Sequence, residues 1–496
     1  MEEQKGFKRP SAVLQDKDSV TQDGISKRRR LETENGSEPH IPFDLPAINW
    51  GKFCARCAEI KTDKKRDSEF VASMLAVMDA YRLRESEECC ITGFQRLIHA
   101  ALVEVKLDEI FLLAWIFDNS LGVPYNVPVA LTLYQQAAEM GHSTAQYNLA
   151  CTYDRGEEVP RDVSKAIEWY EKAIAQGYKE AQFNLGFIYA HDDHVERDYS
   201  RAANLYTLAA SQGDSDAEAF LGECYISGQG VEKDLEKGVA LYRKAAEKGQ
   251  PMALCALGQC YMEGLGVEKD LEKGTQLLQS ACDLEDAEAC YTLGICYLEG
   301  NGVGKDPAKG IALLQAAAKQ ENPNAQYYLG ALYHIGGGAD VPRDARKALP
   351  YLQAASSQGH AHAQSLLGDL YFAKKKEKEA LECFYSAAKL GSADAYVSLG
   401  TVYAGVTPME SVPIDNKKAA NFYFLAGTPQ KDREEVEVDA LFNLGLLYET
   451  GTGVPLDAAK AYGLFSAGAR GGSAESRDAI SDLLAEFEGS FTNLQA

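Results

Sequence analysis

The stretch LGQCYMEGLGVEKDLEKG, Leu257 to Gly274, nearly repeats LGECYISGQGVEKDLEKG, Leu221 to Gly238, which stands 36 residues earlier. A catalytic site is usually made once per domain, so such repetition points to stacked modules. The landmark is Ala-x-x-x-Leu-Gly-x-x-Tyr. It recurs from Ala181, Ala217, Ala253, Ala289, Ala325, Ala363, Ala395 and Ala440. Ala145/Leu149/Ala150/Tyr153 is a variant and Leu113/Ala114/Phe117 a weaker one, giving about ten units with a period of 36 from Ala145 to Ala325.

The spacing predicts a helix for each landmark, because residues four apart share one side of a helix. The glycine beside Leu removes a side chain so that another helix can come close. A Gly-x-Gly-Val turn follows, as at Gly264, Gly266 and Val267, where glycine suits positive φ. Asp270 then stands where a second helix begins, and aspartate is a good N-cap. That second helix has its own apolar stripe, as at Tyr242, Ala245 and Ala246. One such hairpin cannot bury both faces, so neighbours must stack.

This pattern resembles the Sel-1-like repeat family, a branch of the tetratricopeptide-type α/α solenoids. The resemblance implies an all-α fold, a right-handed superhelix whose concave face binds proteins or peptides, and a non-catalytic scaffold or adaptor. The array is expected over 108–475, after a tail read as disordered (1–45) and a divergent helical cap (46–107), and before a C-terminal capping helix and tail (476–496). The cap reading rests on Phe70, Met74, Met78 and Tyr81, then Phe94, Leu97, Ile98, Ala101, Leu102 and Val105. Two units depart from the pattern. The one from Ala363 loses its glycine turn, and the one from Ala395 carries TPMESVPID and PQKDREEVE as extra loop sequence, a possible second contact surface.

Charge narrows the partners. The chain of 496 residues carries −23. Nucleic acid needs cationic surface to displace counterions, and anionic membranes ask the same, so neither is expected. The most apolar run, Ile110 to Phe117, is too short to span a bilayer. Nothing in residues 1–40 resembles a secretory core. These features predict a reducing location in nucleus and/or cytoplasm. The cluster Lys27, Arg28, Arg29 and Arg30 reads as an element for a nuclear import receptor or as a solvated charge run.

Placing the landmark Ala at 0° and advancing about 100° per residue puts its second and sixth successors on the far side of the helix. If the first helix lines the concave face, Tyr147, Phe183, Tyr291, Tyr327 and Phe442, with Phe187 and Glu223, point into the groove. Aromatic side chains there would anchor a peptide, and Asn148, Asn184 and Asn443 would bond its backbone. The competing reading has the aromatics filling gaps between helices. A groove in so acidic a chain favours basic or neutral segments.

Several sharper readings compete with plainer ones. Ser386-Ala-Ala-Lys389 spells the S-x-x-K of penicillin-recognising enzymes, but S-D-N and K-T-G are absent and the same register elsewhere is ordinary helix. The recurring Gly-x-Gly, without a preceding strand, is a turn before it is a phosphate cradle. Cys54 and Cys57, even with Cys89 and Cys90, make a poor zinc set. His191 and His194 flank a polar loop that reads as a hydrated turn before a metal site. Cys282 and Cys290 have the spacing of disulfides in cysteine-rich relatives, yet a reduced pair is expected; Cys224, Cys260 and Cys296 read as buried small hydrophobes. No cofactor is expected. The array also resembles the adaptor of an ER-associated-degradation ubiquitin ligase, a role that needs a signal sequence.

Overall fold

The computed structural model describes residues 78, 83, 87–119, 127–157, 159–336, 341–429 and 437–494. The tail, the basic cluster, Cys54, Cys57, Phe70, Met74 and Tyr81 lie outside the described residues. Among the described residues there are 22 helices and no strand. Twenty of them form ten consecutive pairs between Leu107 and Arg470; Glu87–Leu102 precedes the pairs and Ala474–Leu494 follows them. The helices divide into two compact units, one ending at Gln250 and the other starting at Pro251, and each is built from the same pair.

The pair Ser215–Ser227 and Leu235–Glu247 shows how the residues make it. Asp214 caps the first helix, its carboxylate accepting from the Ala217 N–H at 2.8 Å. Gly228 ends that helix in the left-handed region at φ 79°, where an L side chain is strained. Gly230 is needed for a different reason: a Cβ there would collide with the carbonyl of Tyr199 in the preceding pair. The glycine turn is thus the chain reversal the sequence implies at Gly228 and, at Gly230, also a seam against the preceding pair.

Asp234 does two jobs. Its N–H bonds the carbonyl of the landmark Tyr225 at 2.9 Å, and its carboxylate accepts from the Lys237 N–H at 3.0 Å. The Lys237 ammonium then lies over the Tyr225 ring, 5.6 Å from its centroid. The same three contacts recur around Asp270, with Tyr261 and Lys273, and around Asp306, with Tyr297 and Lys309. Beneath them Tyr242 fills the space that Gly222 leaves. Tyr170, Tyr206, Tyr423 and Phe465 stand at the same place in other pairs and are fully buried. Each such ring contributes roughly 1.5–3 kcal/mol by leaving water.

Both departures have physical substitutes. In the pair Ala361–Ala373 and Glu377–Lys389 the turn is made by Lys375 at φ 59°, and the N–H of Lys376 replaces that of the aspartate on the Tyr371 carbonyl at 2.9 Å. The longer loop that follows Ala393–Tyr403 is tied back to the preceding pair. Glu377 accepts from the N–H groups of Glu410 and Ser411, both at 2.9 Å, and Met409 is buried. Of PQKDREEVE, residues 430–436 lie outside the described residues.

One expectation is overturned. Cys282 and Cys290 are joined by a disulfide rather than standing as a reduced pair. Cys282 ends one helix and Cys290 lies in the first turn of the next, so the short capped turn at Asp286 brings their Cα atoms to 4.8 Å. That separation falls within the range a disulfide spans.

Candidate functional site

Most second and sixth positions after the landmark Ala carry half-buried side chains, a row along the first helices of each unit, whereas Ala219, Cys255 and Ser365 are buried. Each is engaged by its neighbours to a different degree. The Tyr147 ring stacks on Tyr178, which precedes the next first helix, with centroids 4.9 Å apart. Burial pushes its hydroxyl well above the usual tyrosine range. Tyr327 stacks on His360 in the same register at 4.5 Å. Phe183 and Phe187 both meet Phe220 of the next repeat, at 5.3 and 5.7 Å. Tyr291 meets Tyr328 of the next repeat at 6.2 Å, whereas the ring nearest Phe442 is Phe465 of its own pair at 5.9 Å. Glu223 accepts from the Tyr242 hydroxyl at 2.7 Å. Phe183, Phe187 and Tyr291 therefore bridge consecutive repeats, Tyr147 and Tyr327 stack on the residues that cap the next first helices, and all of these rings keep part of their surface in solvent.

The asparagines divide. Asn148 lies beside the Tyr134 hydroxyl, which donates to Asp118 at 3.0 Å. The Asn184 amide donates to the hydroxyls of Tyr170 and Tyr147, at 3.3 and 3.4 Å. Asn443 is half-buried at the equivalent position of its repeat.

Sequence reasoning missed three features beside this row. Histidine serves as an N-cap: Nδ1 of His142 accepts from the Ala145 N–H at 3.1 Å while Phe111 stacks on its ring at 4.3 Å. Burial holds the His142 pKa below its usual value, which keeps the acceptor neutral. Next to the landmark Ala, buried Gln182 and Gln326 accept from Gln212 and Gln358 at 2.9 Å each. At that position in another repeat stands the fully buried Glu218, held by Lys244 and Lys248 at 2.7 Å each. A third group gathers near Tyr327: His362 bonds Asp394 at 3.2 Å, and burial, aided by Asp394, pushes the Asp369 carboxyl up to about 6.

Ser386 and Lys389 lie exposed on the helix Glu377–Lys389, as their repeat register implies. Cys224, Cys260 and Cys296 are buried. The His191–His194 loop is held by protein contacts: Arg161 pairs with Asp192 and reaches His194 Nδ1 at 3.2 Å. Among the described residues no group of His, Cys, Asp or Glu is arranged to hold a metal, and no helix is long and apolar enough to cross a membrane.

The comparisons agree with this architecture. The Sel1 repeat family model matches nine times, over 110–142, 143–178, 179–214, 215–250, 251–286, 287–322, 323–360, 361–392 and 438–473. The pair Ala393–Tyr403 and Asn416–Ala426 falls in the unmatched interval, yet it packs as a tenth pair. A protective antigen present in uropathogenic Escherichia coli strains, described as displaying an SLR fold, is 25% identical with a TM-score of 0.56, over 89% of this chain and 91% of that one. A Sel1 repeat protein from Oxalobacter formigenes is 27% identical with a TM-score of 0.44, over 49% of this chain and 96% of that one. No curated protein matches the chain.

Proposed function

We propose, from the premise that the chain belongs to the Sel1-repeat family, that it is a non-catalytic adaptor holding protein or peptide segments against the first helices of its repeats. The observation that carries this is the row from Tyr147 to Phe442. Large rings are already fixed by stacking, so they lose little side-chain freedom when a ligand covers their exposed part. The net charge of −23, with Glu223, Asp369 and Asp394 beside the row, favours basic or neutral segments. The Lys27–Arg30 cluster supports a nuclear or nucleocytoplasmic site of action through an import receptor.

Proximity labelling of the full chain tests the reading. Phe183→Ala and Tyr327→Ala should each lose a subset of labelled proteins while folding stays intact. An unchanged set for both refutes it. For import, alanines at Lys27 to Arg30 should lower nuclear content of the tagged protein, and unchanged content removes that part.

A further inference from the structure

Three repeats place an asparagine three residues after the landmark Ala: Asn148, Asn184 and Asn443. In one of them the carboxamide donates to the tyrosine on the second helix of the preceding repeat, Asn184 to Tyr170 at 3.3 Å, and in another Asn148 stands beside Tyr134 in the same register. By register the third pair is Asn443 and Tyr423, whose helices share one apolar cluster through Tyr423, Ala440 and Leu444. That bond is not made. The Tyr423 side chain is 1% exposed and its hydroxyl has no hydrogen-bond partner among the described residues. A buried hydroxyl left unpaired costs about 1–3 kcal/mol. The repeat that could remove this cost with Asn443 does not do so.

The neighbouring candidate differs in the same way. Tyr147, Phe183, Tyr291 and Tyr327 each meet a ring on the next first helix or on its N-cap residue, whereas Phe442 meets only Phe465 of its own pair among the described residues. Among the described residues, then, Phe442 meets no ring outside its own pair and the adjacent Asn443 shows no hydrogen bond to a neighbouring repeat. Val397 packs on the cluster that holds Tyr423 and Leu444, and Leu446 lies one helical turn beyond Phe442; both are half-buried and apolar.

We infer that Asn443 is a peptide-binding residue. Its carboxamide is withheld from Tyr423 and bonds one main-chain amide of an extended, uncharged peptide segment, the Oδ1 accepting from an N–H and the Nδ2 donating to a C=O. Phe442, Val397 and Leu446 cover the side chains on either side. This rests on the adaptor reading and adds to it the contact point and the neutral character of the segment.

The test has two arms, both on the full chain. In the first, thermal melting compares Asn184→Leu, Asn443→Leu and Tyr423→Phe. Asn184→Leu should lower Tm, Asn443→Leu should leave it unchanged, and Tyr423→Phe should raise it by removing the orphan hydroxyl. If Asn443→Leu lowers Tm as Asn184→Leu does, the carboxamide is structural and the inference falls. In the second arm, a library of short uncharged peptides, blocked at both ends, is screened for binding. The strongest binder should lose about tenfold or more in affinity to Asn443→Leu, the loss of one or two hydrogen bonds, and none to Tyr423→Phe. N-methylation at one backbone position of that peptide should cause a similar loss. Equal affinity for Asn443→Leu and wild type, or no binder at all, overturns the inference. The adaptor reading survives either result if Phe183→Ala or Tyr327→Ala still strips labelled partners.

Discussion

Tyr242 lies against Gly222 so closely that a Cβ on the glycine would stand 2.9 Å from two ring carbons. Real Cβ atoms do not come so near, so the second helix of the pair must move if the glycine is replaced. The landmark Leu-Gly is thus the hinge of the repeat: leucine fills the core and glycine admits the ring.

Gly222→Ala should destabilise the protein by about 1–3 kcal/mol through overpacking. Gly463→Ala is the control, because a Cβ there meets nothing within 4 Å on its helix. It should stabilise by roughly 0.5–1 kcal/mol through helix propensity. Denaturant midpoints for the two variants should move in opposite directions.

Glu218 is fully buried between two lysines of the second helix. Glu218→Ala leaves both ammonium groups without their buried acceptor and should cost on the order of 2 kcal/mol, discounted for the partial exposure of the lysines. Glu218→Gln restores the residue type that Gln182 and Gln326 use at this position and should cost less. Equal losses for the two variants would mean that the charge on Glu218 carries the contact and that side-chain volume adds nothing.

Acid should weaken the fold through its histidines. Burial lowers the folded-state pKa of His142, His191 and His334. Below about pH 6.5 the unfolded chain takes up protons that the folded chain refuses. Stability from these groups is therefore full above that pH and falls as pH drops toward the lowered values. Replacing His142 with Asn keeps a capping acceptor, as Asn322 provides elsewhere, and removes one titrating group. The slope of stability against pH between 5 and 6.5 should flatten in that variant, by the linkage of proton uptake to folding.

The cystine clips the second helix of one repeat to the first helix of the next. Closing so short a loop restricts the unfolded chain by roughly 2–3 kcal/mol. Dithiothreitol should lower Tm in the wild type and leave Tm unchanged in a Cys282→Ser, Cys290→Ser double variant. A wild type indifferent to reductant shows that the two sulfurs are not bridged in solution.

The repeat was legible because each landmark has fixed physical duties: Ala and Leu pack, Gly makes room, Tyr receives the aspartate N–H, and Asp both gives that N–H and caps the second helix. The helix pair over Ala393–Ala426 was legible by the same letters despite its long loop. The stacking of Tyr327 on His360 was not, because helical angles within one repeat place a residue relative to its own helix only. The partner comes from the next repeat, across a turn whose length decides which residue arrives. Spacing alone likewise left the Cys282–Cys290 bond open, since thiols at that separation bridge only when the turn aims them at each other. Glu218 was hidden because an isolated glutamate on a helix looks like surface until Lys244 and Lys248 are seen to close over it.

Site-specific photocrosslinking in cells tests the central claim most directly. A photoreactive phenylalanine analogue is placed at Phe187 or Tyr291 on the first-helix row, and at Arg243 or Gln315 on the outer face of second helices. The account predicts partner adducts from the row positions and few from the outer ones. Adducts confined to Arg243 and Gln315, with none from Phe187 or Tyr291, contradict it.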